Sequence, residues 1–248
     1  MVKVDLQPAF VLHSRHYRET SLLVDLLTPD YGRLSVVARG ASGSRSGLRH
    51  CLQPFRRLAV SWYGKGELKT LKSAEEHACI RLEGDALFSG IYLNELLTRL
   101  LGGQGGCEQI FVLYEGVIAA MAQTTQVQPV LRIFELNLLE QLGYAISFPE
   151  TSTVENRSNG QHPSAPRVEK YRYDAEGTFV AVHSMAEIGD STRYFSRAQL
   201  SAISKGDYSD QKTFPAAKRL MRLALAPLLG GRALNSRKLF IQQRRQGR

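Results

Sequence analysis

The change of period near residue 78 constrains this chain more than any other feature of it. Before that point the sequence is written in short β-type runs: AFVLHSRHY, SLLVDLLT, RLSVVARG, RRLAVSWY and GELKTLKSA. Each is rich in β-branched, aromatic or leucine residues, and turn chemistry separates one from the next. Thr28 to Gly32 (TPDYG) has Pro at the second position of a corner and Gly closing it, and Tyr63 to Gly66 (YGKG) is a tight hairpin signal. Five such runs within about 70 residues are the size of a small barrel, and the oligonucleotide-binding (OB) fold is the commonest; an SH3-like barrel has a similar strand count.

After Ala78 the apolar residues recur at helical spacing. Asp85–Leu101 places Leu87, Ile91, Leu93, Leu97, Leu100 and Leu101 in that pattern, with Glu95 and Arg99 as an i,i+4 pair, and GGQGG at 102–106 ends it. Glu108–Gln123 predicts a second helix, and a third runs from Pro129 to Gly143. The stretch 149–168 is polar, has three prolines and no period, and reads as a flexible insertion. Lys170–Val182 predicts a hairpin turning at Asp174–Gly177. Ser196 caps a short helix, and Pro215 opens the last long one, with Leu220, Leu223, Leu225 and Leu228 on its buried side. The expected fold class is therefore α+β: a five-stranded OB-fold barrel at 1–78, then a mainly helical domain at 79–248 with a small β element and the insertion at 149–168.

The net charge of +9 conceals its distribution. Residues 31–66 carry seven cations and no acid, residues 211–248 carry ten and no acid, and the remainder is net acidic. Solvated surfaces ordinarily intersperse both signs, so this asymmetry points to a polyanionic partner. Within 31–66, cations on strands flank cations on the Gly/Ser-rich segment ASGSRSG, whose backbone is free to adapt. The candidate phosphate contacts are Arg33, Arg39, Arg45, Arg49, Arg56, Arg57, Lys65 and Lys69. Trp62 and Tyr63 are strand neighbours, so only one can offer a stacking face and the other belongs in the core; Tyr63 is the candidate.

Catalytic constellations are missing from the sequence. Gly40–Gly47 lacks the lysine of a phosphate loop, no GxSxG stands between strand and helix, and no acidic cluster suggests two-metal chemistry. Cys51, Cys79 and Cys107 are odd in number and widely spaced, which fits a reducing compartment and neither a disulfide framework nor a zinc finger. Early acids rule against a signal-peptide core, and no apolar run reaches membrane-spanning length. The chain reads as a soluble intracellular non-enzyme with no metal or cofactor.

Several blocks of the sequence resemble the RecO recombination-mediator family: AFVLHSRHYRETSLLVDLLTPDYGRLSVVARGA, LQPF at 52–55, GELKTLKSAE, IYLNELLTRLL, RIFELNLLEQLGY and AAKRLMRLALAPLLGGRALNSRKLF. The resemblance covers nearly the whole chain. It implies an OB barrel followed by a helical domain, binding of single- and double-stranded DNA, and annealing of complementary strands. It further implies, with the partner RecR, assistance in loading the recombinase onto DNA coated by single-strand binding protein. That protein's acidic C-terminal tail is a second implied partner, and the implied location is the cytoplasm, with the nucleoid. A zinc site of four cysteines occurs in the second domain of some members; this chain has no cysteine after Cys107. A tail carboxylate needs an apolar pocket rimmed by cations, which Arg132 or the group Lys218, Arg219 and Arg222 could supply. Arg132 could equally pair with Glu135 at i+3, and the last helix could join the DNA surface. The rival readings are an RNA-binding OB module of translation or ribosome assembly, and an accessory domain of a nuclease or ligase.

Overall fold

The computed structural model describes residues 3–43, 47–103, 105–149, 170–182, 191–236 and 239. Strand β1 (Lys3–Tyr17) is long enough to serve two partners. Its first half pairs antiparallel with β4 (Arg56–Tyr63), from Lys3 opposite Tyr63 to Phe10 opposite Arg57. Its second half pairs with β2 (Ser21–Thr28), from Phe10 opposite Leu27 to Tyr17 opposite Ser21. Register shifts between Val4 and Gln7 and between Val11 and His13 bend it from one partner to the other. At the first shift Leu6 takes φ 53° and donates its backbone N–H to Ser61 Oγ at 3.0 Å.

β3 (Gly32–Ala38) pairs antiparallel with β2, and β5 (Leu68–Cys79) completes the circuit. β5 runs antiparallel to β4 over most of its length and parallel to β3 only from Ser35–Leu68 to Val37–Thr70. The result is a closed barrel in the order β1-β2-β3-β5-β4, the expected OB arrangement. Alternation along β3 turns Leu34, Val36 and Ala38 inward, where they meet Val11, Val24, Leu26, Val60 and Trp62.

Of the Gly/Ser-rich segment between β3 and β4, residues 44–46 lie outside the described residues. A short helix, α1 (Gly47–Cys51), follows them, and the anchors on either side, Ala41 and Leu52, are fully buried in the barrel core. Leu48 and Cys51 pack against that core. One helical turn bounded by glycine and serine is too short to show a period, which is why the sequence conceals it.

Helices α2 (Gly84–Leu100) and α3 (Glu108–Gln123) lie where the spacing predicts. α2 buries Tyr92, Leu93, Leu96 and Leu97, with Leu87, Ile91 and Leu100 half-buried. Phe10 of β1 packs between Phe111 and Tyr114 of α3, with ring centroids 5.3 and 5.1 Å away. The chain divides into two compact units, Met1–Val130 with Arg232–Arg248, and Leu131–Gly231.

The second unit takes in most of α4 (Val127–Gln141). The hairpin expected at 170–182 is present as β6 (Lys170–Tyr173) and β7 (Phe179–Val182). Asp174 closes its turn, accepting from the Glu176 and Thr178 N–H groups at 2.9 and 2.8 Å. β8 (Tyr194–Ser196) adds a third strand, in the order β7-β6-β8, that three residues are too few to announce. Ser196 and Gln199 form a capping box on α5 (Arg197–Ser204). α6 (Thr213–Leu228) begins two residues before Pro215, which sits in the first turn, where its missing N–H has no intrahelical acceptor. α6 buries Ala216, Ala217, Leu220, Met221 and Leu225, while Leu223 and Leu228 are half-buried. The insertion expected at 149–168 lies, apart from Pro149, outside the described residues. Among the described residues no helix is long and apolar enough to cross a membrane.

Candidate nucleic-acid interface

An open groove of about 640 Å³ lies at one end of the barrel. Its walls are the β1–β2 turn from Tyr17 to Ser21, Val37 near the end of β3 with Arg39 just after it, and the start of β5 from Leu68 to Thr70. The topology puts them together: the short β3–β5 ladder brings the residues after the β4–β5 turn beside the end of β3, and β2 pairing carries the first turn to the same place. Gly64 opens the β4–β5 turn at φ 131°, a backbone region that disfavours any side chain. These are the parts of an OB barrel that address an oligonucleotide.

Arg39 is exposed at the rim and Lys69 is half-buried beside it; among the described residues neither has an ion-pair partner. Arg18 takes left-handed backbone (φ 55°), and its guanidinium lies 5.3 Å from the centroid of the Tyr17 ring. Sequence reasoning missed Tyr17 and Arg18 because they precede the acid-free window. The signal was available, since an OB strand order places the first turn opposite the start of β5. The loop after β3 is tied to the groove: Ser42 donates its N–H to the Thr20 carbonyl at 3.1 Å and its hydroxyl to the Glu19 carbonyl at 3.2 Å. Arg49 donates to the Ser42 carbonyl at 3.2 Å and so buttresses that loop.

Folding supplies acids to the window that lacks them. Arg33 lies 3.5 Å from Asp25 and donates Nε–H to the Leu101 carbonyl at 3.1 Å. Arg56 pairs with Glu76, and Arg57 Nε lies 3.1 Å from Glu115. Lys65 is exposed at the β4–β5 turn and Tyr63 is half-buried, while Arg45 lies outside the described residues. Trp62 is the strand neighbour in the core, 1% exposed and edge-on to Tyr31 at 5.2 Å.

In the second unit Arg132 is 6% exposed and pairs at 2.7 Å with Glu135, which is fully buried. Burial pushes the nearby Tyr208 hydroxyl up to about 12, Arg132 opposing and Glu135 adding. The i+3 pairing weighed from sequence is thus the observed one, and it compensates a charge that would be costly to bury alone. Arg219 donates to the Tyr194 carbonyl at 3.1 Å and stacks over Phe195 at 5.2 Å, a packing role. Lys218 and Arg222 lie on the exposed face of α6. Among the described residues no three His, Cys, Asp or Glu side chains gather to hold a metal, and with no cysteine beyond Cys107 the four-cysteine zinc site does not fit this chain.

A closed OB-type barrel with a cationic groove, continued by helices and a small antiparallel sheet, defines the class: an OB-fold protein with a mainly helical second part. Residues 1–79 match the family model described as the N-terminal part of recombination protein O, and residues 81–238 match that of its C-terminal part. The chain is 44% identical over 240 residues to the DNA repair protein RecO of Cellvibrio japonicus, covering 96% of this chain and 98% of that one. It is 42% identical over 239 residues to the DNA repair protein RecO of Haemophilus influenzae, covering 96% of each. This chain belongs to the RecO family of DNA repair proteins.

Proposed function

We propose that this protein is a recombination mediator without catalytic activity of its own, acting in the cytoplasm at the nucleoid. It binds single- and double-stranded DNA, anneals complementary strands and, with RecR, helps load the recombinase onto DNA coated by single-strand binding protein. The observation that carries the reading is the groove of the OB barrel, where Arg18, Arg39 and Lys69 converge on one opening beside the Tyr17 ring. Fixed cations around an open trough match a phosphate backbone, and an aromatic ring offers a face to any base. The barrel at 1–78 is the DNA-binding domain. Within its cationic set, Arg39, Lys65 and Lys69 meet phosphates, joined by Arg45, while Arg33, Arg49, Arg56 and Arg57 contribute mainly by holding the barrel together. Tyr63 lends stacking surface at the β4–β5 turn.

The helical domain at 79–248 takes the acidic tail of the coating protein. Lys218 and Arg222 are the exposed cations of α6, with Arg219 between them, and Arg132 is a buried candidate already ion-paired with Glu135. Annealing of complementary oligonucleotides, naked and coated, without ATP or added metal, tests the reading. Acceleration on both substrates is expected, with Lys218→Ala combined with Arg222→Ala failing mainly on coated strands. No acceleration on naked strands, or a strong preference for RNA of equal sequence, contradicts it.

A further inference from the structure

The groove at the end of the barrel has an apolar wall as well as cations. Along β3 the buried residues Leu34, Val36 and Ala38 join the barrel core, so Ser35 and Val37 face outward. The parallel ladder sets Ser35 opposite Leu68 and Val37 opposite Thr70, which makes Leu68 and Val37 diagonal neighbours on that outer face. Leu68 is 43% exposed, and of the exposed large apolar side chains among the described residues it alone lines the groove. A single exposed leucine is ordinary on a protein surface. This one stands beside Val37 in a trough shared with Tyr17, Arg18, Arg39 and Lys69, where Glu19 is the one acid of the lining.

Duplex and single strand differ in what they can offer such a wall. In a duplex the bases are stacked inside and the outer surface is sugar and phosphate, whereas a single strand can turn its bases onto an apolar or aromatic surface. Cations attract both, because both carry phosphates. We propose that Leu68 is a specificity-determining residue: with Val37 it forms a wall that accepts the unpaired bases of single-stranded DNA and that duplex DNA leaves uncovered. The groove then tells the two apart by this wall and not by its charge. This rests on the reading that the barrel groove binds DNA. Pairing draws the bases back into the stack, so an annealed product forfeits the contact that held its separate strands.

The test uses full-length protein, a single-stranded oligodeoxythymidylate and a duplex of equal length, with log K measured against log salt for each. Leu68→Ala is expected to weaken single-strand binding several-fold and duplex binding less, so that the ratio of the two affinities falls. Both salt slopes should stay as they were, because no phosphate contact is lost. Leu68→Met, which keeps the apolar surface, is expected to restore the natural ratio. Should Leu68→Ala fail to fold, Leu68→Thr keeps a strand-forming residue, removes most of the apolar surface and reads the same ratio. A loss on the duplex as great as on the single strand, no loss on either, or a loss with Leu68→Met as great as with Leu68→Ala overturns this inference. The barrel reading stands in each of those cases so long as Arg39→Ala with Lys69→Ala still flattens the slope. If that double variant changes binding of neither substrate, the barrel reading fails as well.

Discussion

Asn94 shows how much a single polar side chain can hold together. Its Nδ2 donates to the Leu12 carbonyl at 2.8 Å, and its Oδ1 accepts from the Tyr114 hydroxyl at 2.6 Å, both in the interior. Burial pushes the Tyr114 hydroxyl far up, with the Asn94 contact opposing, so the phenol stays neutral and must find an acceptor. Asn94→Ala leaves a dry carbonyl and a dry hydroxyl, a change worth about 2–4 kcal/mol of unfolding free energy. A fall in the urea midpoint at constant slope would register it; a loss below about 0.5 kcal/mol would contradict the assignment. Nothing in the sequence distinguishes Asn94 from a polar residue on a solvated helix face, since its partners are 82 and 20 residues away. The window likewise hid the partners of Arg33, Arg56 and Arg57: Asp25, Glu76 and Glu115 lie outside it and reach it only through the fold.

Among the elements, α2 and α3 carry a matched pair of glycines with opposite expected behaviour. A Cβ at Gly90 of α2 would stand 2.7 Å from both Leu82 Cδ1 and the buried Phe55 ring. At Gly116 of α3 a Cβ would meet nothing within 4 Å. Alanine gains up to about 1 kcal/mol over glycine in a helix interior, whereas overpacking a close-packed core costs about 1–3 kcal/mol. Gly116→Ala is therefore expected to raise the thermal midpoint and Gly90→Ala to lower it. A rise in both would show that Phe55 and Leu82 yield freely.

Most elements were legible because their periods extend over a turn or more: β2, β3, β4, α2, α3 and the capped α5 stand where the spacing predicts them, whereas β1 begins at Lys3, six residues before the expected run, and β5 runs on to Cys79. α1 and β8 were not, being five and three residues long, too short for any period to emerge. The outward face of α6 also reads differently in space. Arg219, expected beside Lys218 and Arg222 on a cationic rim, turns to Phe195 and the Tyr194 carbonyl.

Over the whole molecule, the charge asymmetry was legible as a total but not as a map. The sequence places seven cations in 31–66; in the structure three of them pair with acids, one braces a loop, and one, Arg39, lines the open groove together with Lys69 and the unforeseen Arg18 from outside the window. A linear window cannot show this, because strand order alone decides which turns share an end of the barrel. The most direct test compares two double variants of similar chemistry by the salt dependence of duplex DNA binding. Arg39→Ala with Lys69→Ala is expected to flatten the slope of log K against log salt by up to about two units, one per lost phosphate contact. Arg56→Ala with Arg57→Ala should leave the slope nearly unchanged, since their charges are already met by Glu76 and Glu115. The reverse outcome, with the paired arginines setting the slope and the groove cations indifferent to it, would contradict the assignment of the groove as the DNA site.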